Sequence, residues 1–217
     1  MNPLKKLFFY RAYTTGQNER YWRAKTDREY WVNYLKTWNH PHRFIISAAL
    51  NQFKWVSLFE VGCGSGPNIV NIVKHHNKKQ IGGSDINKVA IEVLSSQIKG
   101  GFFKVGSGDN IMMSDKSSDV VLSDAYLIYV GPLKIKKYLK EIKRIARNHV
   151  VLVEYHSESW KDRFLLRVLS GRHSYNYKKL LERLGFYDIR VFKMPKVEKD
   201  NEEKFRHIII AKTTLRI

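Results

Sequence analysis

The sequence has 217 residues, of which 43% are hydrophobic and 27% charged, and these fractions suit one globular domain and exclude a disordered or fibrous chain. A single cysteine excludes an internal disulfide framework and a multi-cysteine zinc site, which favours a reducing, cytoplasmic location. No apolar run approaches the roughly 20 residues needed to cross a bilayer, and the apolar run within residues 5–11 is too short for a signal-peptide core.

The net charge is +19, and it is unevenly distributed along the chain. Residues 51–125 carry 8 basic and 7 acidic side chains, whereas residues 1–50 carry 9 and 3 and residues 126–217 carry 22 and 10. Basic flanks of this kind could attract nucleic acid, an anionic lipid surface or an anionic small substrate. They are also compatible with a lysine-rich solvated surface that binds nothing.

The predicted elements begin with helices and continue as alternating strands and helices. Residues 20–38 place aromatic side chains at helical spacing, and a second helix is predicted over 42–52, after Pro41. Strands are predicted over 56–61, 80–84, 102–105, 119–124, 150–155, 187–192 and 205–211. Further helices are predicted over 69–76, 88–98, 134–147 and 177–184.

This alternation predicts an α/β fold with a doubly wound, mainly parallel seven-stranded sheet and helices on both faces. No helix separates the final two strands, so we expect the last strand to be antiparallel to the others. We expect residues 1–52 to form an N-terminal helical arm or lid. No repeat or Pro/Gly-rich linker divides residues 53–217, which are predicted to form one compact domain.

Three loops at strand ends point to a nucleoside site. The first holds three alternating glycines, which let a ligand approach the backbone and precede a helix with free N–H groups; these are Gly62, Gly64 and Gly66. Asp85 ends the second strand, where its carboxylate could accept both ribose hydroxyls. Asp109 and Asn110 follow the third strand, where they could meet an adenine amine. Ligands of open α/β sheets bind at the carboxyl ends of the strands, so one site is expected.

Phosphate-bearing ligands fit this loop poorly. A dinucleotide fingerprint requires a glycine at its sixth position, where this chain has Pro67. A P-loop requires Gly-Lys-Ser/Thr, which is absent. The ligand expected from the residues is therefore an adenosine without phosphates.

The stretches EVGCGSG at 60–66, DIN at 85–87, GDN at 108–110 and DVVLSDA at 119–125 resemble the motifs of class I, seven-stranded S-adenosylmethionine-dependent methyltransferases. The resemblance covers about residues 55–155. It implies a Rossmann-like fold, S-adenosylmethionine as cofactor and S-adenosylhomocysteine as product. The cofactor contacts that it implies come from Glu60, Gly62, Cys63, Gly64, Gly66, Asp85, Ile86, Asp109, Asn110 and Ser123. Within that set it assigns Asp85 to the ribose, Ile86 to the adenine face and Asp109 to the adenine amine.

The acceptor is expected beyond the fourth and fifth strands. Methyl transfer is an in-line displacement, so alignment and water exclusion can supply much of the catalysis, and a base helps a protonated acceptor. Candidate catalytic residues there are Asp124, Tyr126, Glu154 and His156. Asp124 is either a base or a partner for the cofactor ammonium, and Tyr126 either lines the pocket or packs in the core. Glu154 and His156 point the same way from a strand end, which could also simply be solvated.

The expected function is transfer of a methyl group to an O or N atom of a small acceptor, with an anionic acceptor suggested by the basic flanks. The fourth strand ends in SDAY, not in the Asn/Asp-Pro-Pro-Tyr/Phe of DNA amino-methylating enzymes. An RNA-modifying methyltransferase is the main alternative, and a non-catalytic nucleic-acid or partner-binding module is a third. The basic, aromatic N-terminus is also compatible with peripheral contact with an anionic membrane.

Overall fold

The computed structural model describes residues 15–76, 80–197 and 203–214, so the first 14 residues of the expected arm and their expected membrane contact lie outside it. The described helices are α1 (Thr15–Arg23), α2 (Arg28–Leu35), α3 (Pro41–Leu50), α4 (Pro67–His75), α5 (Lys88–Gln97), α6 (Ile135–Ile145), α7 (Trp160–Ser170) and α8 (Tyr177–Arg183). The strands are β1 (Ser57–Val61), β2 (Gln80–Asp85), β3 (Phe102–Val105), β4 (Ser118–Asp124), β5 (Ala146–Tyr155), β6 (Tyr187–Lys193) and β7 (Arg206–Lys212).

The seven strands form one sheet in the order β3-β2-β1-β4-β5-β7-β6. The pairs β1–β2, β2–β3, β1–β4 and β4–β5 are parallel, and β7 is antiparallel to both β5 and β6. The prediction of a mainly parallel sheet with an antiparallel last strand is confirmed. The strand order reverses direction between β1 and β4, and a crevice for a ligand forms at the carboxyl ends of strands at such a switch point.

Alternate residues of each central strand enter two separate cores. In β4, Val120 and Leu122 pack with α3, α4 and α5, whereas Val121 packs with α6 and α8. Successive side chains of a strand point to opposite faces, so an unbroken apolar strand supplies both layers. Helices therefore cover both faces, as predicted.

The expected aromatic helix over residues 20–38 is instead two helices and a 3-10 turn, Lys36–Asn39. Asp27 begins α2 by accepting a hydrogen bond from the Tyr30 backbone N–H, over 3.2 Å. A side chain that caps a helix start competes with continuation of the preceding helix. The helical spacing of the aromatic residues therefore continues across a break between α1 and α2.

Helix α7 is an element that the sequence patterns did not predict. It begins after Ser159, whose hydroxyl accepts from the Asp162 N–H, and ends at Gly171 with φ +71°. Of its eleven residues only Leu166 is buried, so it has no regular apolar stripe facing a core. Among the residues that the structure describes, no helix combines the length and apolar character needed for a bilayer crossing.

Candidate active site

A cavity of about 220 Å³ lies at the switch point, between the helical arm and the carboxyl ends of the central strands. It is lined by Trp22, Tyr30, Trp31, Tyr34, Gly62, Gly64, Asp85, Ile86, Asp124, Ala125, Tyr126 and Tyr129. Six of these described residues are aromatic, two are acidic and none is basic. Aromatic faces and carboxylates attract a cation, whereas a pyrophosphate would find no positive side chain in this lining.

The glycine loop presents bare backbone to the cavity. Gly62 and Gly64 have φ values of +75° and +53°. A Cβ on Gly62 would lie 2.3 Å from the Tyr126 ring, and one on Gly64 would lie 3.2 Å from the Tyr34 ring. A side chain at Gly62 or Gly64 is therefore disfavoured both by the positive φ and by the ring beside it.

Gly66 has a different task from the other two glycines. It has φ +81° and comes immediately before α4, and a Cβ there would lie 2.3 Å from Leu94 of α5. This glycine allows the two helices to pack closely. It does not line the cavity.

Asp85 and Ile86 lie at the cavity wall, where the sequence placed them. The Asp85 carboxylate accepts hydrogen bonds from the Gly64 N–H (2.9 Å) and the Asn87 N–H (2.8 Å). Burial raises the pKa of Asp85, although these two hydrogen bonds act to lower it. The carboxylate thus joins the end of β2 to the glycine loop of β1.

The structure does not bring Asp109 or Asn110 to the cavity. Asp109 accepts from Lys137 Nζ over 3.2 Å, and Asn110 is exposed. Their neighbour Gly108 donates its N–H to the Tyr126 hydroxyl over 3.1 Å. The loop after β3 therefore contacts the site through the Gly108 backbone N–H, and Tyr126 lies between this loop and the cavity.

Cys63 and Ser123 are buried and point away from the cavity. Cys63 belongs to the core under α4 and α5, and burial raises the pKa of its thiol well above the usual value. Ser123 donates its hydroxyl proton to Glu154 Oε1 over 2.7 Å. Neither side chain is placed for direct contact with a ligand in this cavity.

Asp124 is the centre of a buried polar network. Its carboxylate accepts from His42 Nε2 (2.9 Å), Arg43 Nη1 and Asn68 Nδ2 (3.0 Å). Burial works to raise the pKa of Asp124, but His42 and Arg43 outweigh it and hold the pKa well below its usual range. Asp124 is therefore an ionised carboxylate whose oxygens already accept from three side chains, so it is a weak base. It holds α3 and α4 to the end of β4.

Glu60 adjoins this network with one free oxygen. Its Oε1 accepts from Asn68 Nδ2 over 2.6 Å, while its buried Oε2 has no hydrogen-bond partner among the described residues. Burial raises the pKa of Glu60 to about 8. A buried polar atom without a partner is uncommon and marks a place where a ligand or water belongs.

Glu154 and His156 do not line the cavity, and each binds a different backbone segment. Glu154 Oε1 accepts from the backbone N–H groups of Tyr126 (3.1 Å) and Leu127 (3.0 Å), which fixes the turn after β4. His156 Nδ1 accepts from the Tyr177 N–H over 3.2 Å at the start of α8. Both side chains hold backbone N–H groups, and both lie on the face of β5 that α6 and α8 cover.

Tyr126 does line the cavity, but its hydroxyl is engaged. Burial raises the pKa of its phenol well above 10. Its ring fills the space over Gly62, so it shapes the cavity wall. At neutral pH a phenol with a raised pKa is a poor general base.

We expect the variant Glu154→Gln to gain stability relative to the parent as pH rises from 4.5 to about 7. Burial raises the pKa of Glu154 from 4.5 to about 7. Its stability contribution is therefore complete below pH 4.5 and is lost as the group ionises through pH 7. Glutamine does not titrate, so urea unfolding across this range should show a difference growing by up to about 3 kcal/mol.

The control for this titration is Glu141→Gln. The Arg144 hydrogen bond lowers the pKa of Glu141, so its contribution is lost as pH falls and the difference should run in the opposite direction. A flat pH dependence for Glu154→Gln would show that Glu154 is not held neutral by burial.

Asparagine side chains bind the arm to the loops around the cavity through backbone carbonyls. Asn87 Nδ2 donates to the carbonyls of Trp22 (2.6 Å) and Lys25 (2.8 Å), and Asn18 Nδ2 donates to the Tyr129 carbonyl (2.9 Å). His42 and Asn68 belong to no motif in the sequence, and Asn87 is the last residue of the DIN motif, which by itself indicates no contact with the arm. The signal available for the arm was its aromatic stripe, which supplies four lining residues.

The domain and its fold have counterparts among known proteins. Residues 58–149, which run from β1 into β5, match the methyltransferase domain family. A chain from the Haloferax volcanii complex of the Trm112 methyltransferase activator with a methyltransferase has TM-score 0.71 at 15% identity, over 90% of this chain and 99% of that one. An S-adenosylmethionine-dependent methyltransferase from Methanosarcina mazei has TM-score 0.60 at 22% identity, over 78% and 98%.

An O-methyltransferase fold from Nostoc punctiforme has TM-score 0.67 at 17% identity, over 84% of this chain and 59% of that one. No curated protein sequence matches the chain. The strand order, the glycine loop and the matched domain define a Rossmann-like methyltransferase fold. Residues 58–149 form a methyltransferase domain, and the fold is shared with S-adenosylmethionine-dependent methyltransferases, so S-adenosylmethionine is the cofactor that this domain implies.

Proposed function

We propose that this methyltransferase moves a methyl group to an O or N atom of a small, anionic acceptor by in-line displacement. When bound, S-adenosylmethionine supplies an electrophilic methyl group on a sulfonium. The observation that supports the proposal most is the cavity itself, which is narrow, aromatic and covered by the arm. Such a lining aligns two reactants and excludes water, which is what this displacement needs.

The proposed cofactor contacts follow the cavity wall. Asp85 would bind the ribose hydroxyls, Ile86 would lie against the adenine, and the backbone of Gly62 and Gly64 would adjoin the remainder. Glu60 is buried behind the cavity wall, and its free Oε2 would meet the cofactor ammonium through a bound water. Asp109, Asn110, Cys63 and Ser123, which the family resemblance includes, would contribute through the loops that they support.

An acceptor that is already deprotonated suits the lack of a free general base among the described residues around the cavity, although its negative charge must be met from outside a lining that contains no basic side chain. Asp124 is occupied by three donors, and Tyr126 is engaged with Gly108. A carboxylate or phosphate oxygen needs no base before it attacks, whereas a hydroxyl does. The Lys25 ammonium would meet that charge, since its Nζ lies 3.4 Å from the centroid of the ring of Tyr30, a lining residue.

The arm would act as the lid of this site. Helices α1 and α2 supply Trp22, Tyr30, Trp31 and Tyr34 to the lining. The division into an arm over residues 1–52 and a domain over 53–217, and the cytoplasmic location, remain part of the proposal.

The test is a product assay with S-adenosylmethionine and a panel of small carboxylates, phosphorylated sugars, alcohols and amines. S-adenosylhomocysteine should form with at least one anionic compound, and added salt should raise KM more than it lowers kcat, because charge contributes to binding. Turnover confined to neutral alcohols or amines would overturn the anionic acceptor, and leave the enzyme class intact.

An RNA acceptor is the second candidate, favoured by one observation. The outer face of α6 exposes Lys136, Lys137 and Lys140 beside each other along the helix. If these lysines contact phosphates, the logarithm of RNA affinity should fall with the logarithm of salt with a slope of about −0.7 per contact on single strands. A slope near zero would leave the lysines as a solvated face.

A further inference from the structure

Helix α7 exposes its apolar side chains instead of burying them. Trp160, Phe164, Leu165 and Leu169 are 66%, 64%, 50% and 61% exposed. With 100° between successive residues, Trp160, Phe164 and Leu165 lie about 100–160° around the helix from Leu166, its one buried residue, and Leu169 lies about 60° from it at the edge of the exposed face. An isolated 11-residue helix gains little stability from its own hydrogen bonds. We call the exposed apolar face formed by Trp160, Phe164, Leu165 and Leu169 the α7 ridge.

The charges around the α7 ridge are mainly basic. Lys161 and Arg167 lie on the exposed side of the helix, and Arg163 and Arg172 flank it. Of the two acidic residues over 158–172, Asp162 is paired with Lys204 over 3.2 Å, which leaves Glu158. A helix that combines large apolar side chains with lysine and arginine, and carries a tryptophan, has the composition of an interfacial helix on anionic lipid.

The shape and charge of this region argue for a bilayer over other occupants. A ridge inserts between lipid headgroups without needing a complementary groove. A second copy of the chain would bring its own +19 charge to the same surface, which opposes association of two such faces. An anionic bilayer instead complements both the apolar residues and the surrounding cations.

The α7 ridge is connected to the active-site cavity by one layer of side chains. Leu166 packs with Ile128, Tyr155 and Phe205, and Tyr129 packs against the same cluster. Tyr129 also lines the cavity. Contact between the ridge and a surface would therefore place the acceptor side of the enzyme near that surface.

We propose that the α7 ridge is a binding site for anionic lipid bilayers, with Trp160, Phe164, Leu165 and Leu169 entering the interface and Lys161 and Arg167 facing the headgroups. The site stands independently of the methyl acceptor. It uses none of the residues assigned to the cofactor.

The test is sedimentation of the full chain with vesicles of equimolar phosphatidylcholine and phosphatidylglycerol, and with vesicles of phosphatidylcholine alone. The parent should bind the anionic vesicles and not the neutral ones. The double variant Phe164→Ser/Leu169→Ser should lose about 100-fold in partitioning, or about tenfold for each apolar side chain no longer buried. Lys161→Gln/Arg167→Gln should also weaken binding and reduce its salt dependence.

The matched control is Val56→Ser/Met112→Ser, which removes two exposed apolar side chains outside α7. It should bind like the parent, and circular dichroism should show all variants folded because every changed side chain is exposed. The proposal is overturned if the parent binds neither vesicle, or if Phe164→Ser/Leu169→Ser binds anionic vesicles as the parent does. A parent dimer in sedimentation equilibrium that Phe164→Ser/Leu169→Ser dissociates would assign the ridge to a second copy instead.

Discussion

Replacing Asp124 with alanine is expected to lower the free energy of unfolding by about 3–5 kcal/mol. The carboxylate is buried and accepts from His42, Arg43 and Asn68. Its removal leaves the Arg43 guanidinium buried without its anion, and most of the cost is the desolvation of that charge. Urea unfolding at neutral pH measures the loss, and Asp124→Asn, which keeps the shape, should lie between the parent and Asp124→Ala.

The control for this variant is Asp115→Ala. Asp115 also pairs with an arginine, Arg144, over 2.8 Å, but its side chain is 76% exposed. An exposed pair contributes about 0–1 kcal/mol, so this variant should stay within about 1 kcal/mol of the parent. Equal small losses for the two variants would show that the Asp124 network does not hold the arm to the sheet.

Gly62→Ala is expected to weaken binding of S-adenosylmethionine by more than about tenfold, because overpacking of a closed site costs about 1–3 kcal/mol. The new Cβ would lie 2.3 Å from the Tyr126 ring, so the ring must leave the cavity wall. That movement also breaks the hydrogen bond from the Gly108 N–H to the Tyr126 hydroxyl. Titration calorimetry with S-adenosylmethionine measures the change in Kd.

The matched control is Gly100→Ala. Gly100 has φ +79°, close to the +75° of Gly62, but a Cβ there has no atom within 4 Å. Both variants place alanine in the left-handed region, at a cost of about 1–2 kcal/mol in stability. Only Gly62→Ala should also lose cofactor affinity. If both variants bind like the parent, the closeness of Tyr126 does not shape the cofactor site.

The sheet was predictable because its strands are apolar runs separated by glycine turns and amphipathic helices. Strand β4 and helix α6 carry strong local patterns, and the last two strands lack a helix between them. Gly62, Gly64 and Asp85 lie at the cavity, and this location could be expected because the carboxyl ends of neighbouring parallel strands meet at one edge of the sheet. These features depend on local sequence and on one rule of sheet geometry.

The side-chain network was not predictable from the same patterns. His42 and Arg43 lie more than 80 residues from Asp124, and no spacing relates them to it. Glu154 was expected at the acceptor because it ends a strand, yet β5 turns its carboxylate toward the Tyr126–Leu127 backbone. Helix α7 was missed because its apolar residues face outward. Each case depends on tertiary placement, which local periodicity does not contain.

The most direct test of the account is calorimetric titration of S-adenosylmethionine into the parent, Asp85→Ala and Asp109→Ala. We expect the parent to bind, and Asp85→Ala to bind about 10- to 100-fold more weakly, since hydrogen bonds to a charged group contribute about 1.5–3 kcal/mol. Asp109→Ala removes a carboxylate that lies outside the cavity and should change the affinity by less than about twofold. A parent that gives no heat of binding, or an Asp85→Ala variant that binds as tightly as the parent, would contradict the placement of the cofactor at the ends of β1 and β2.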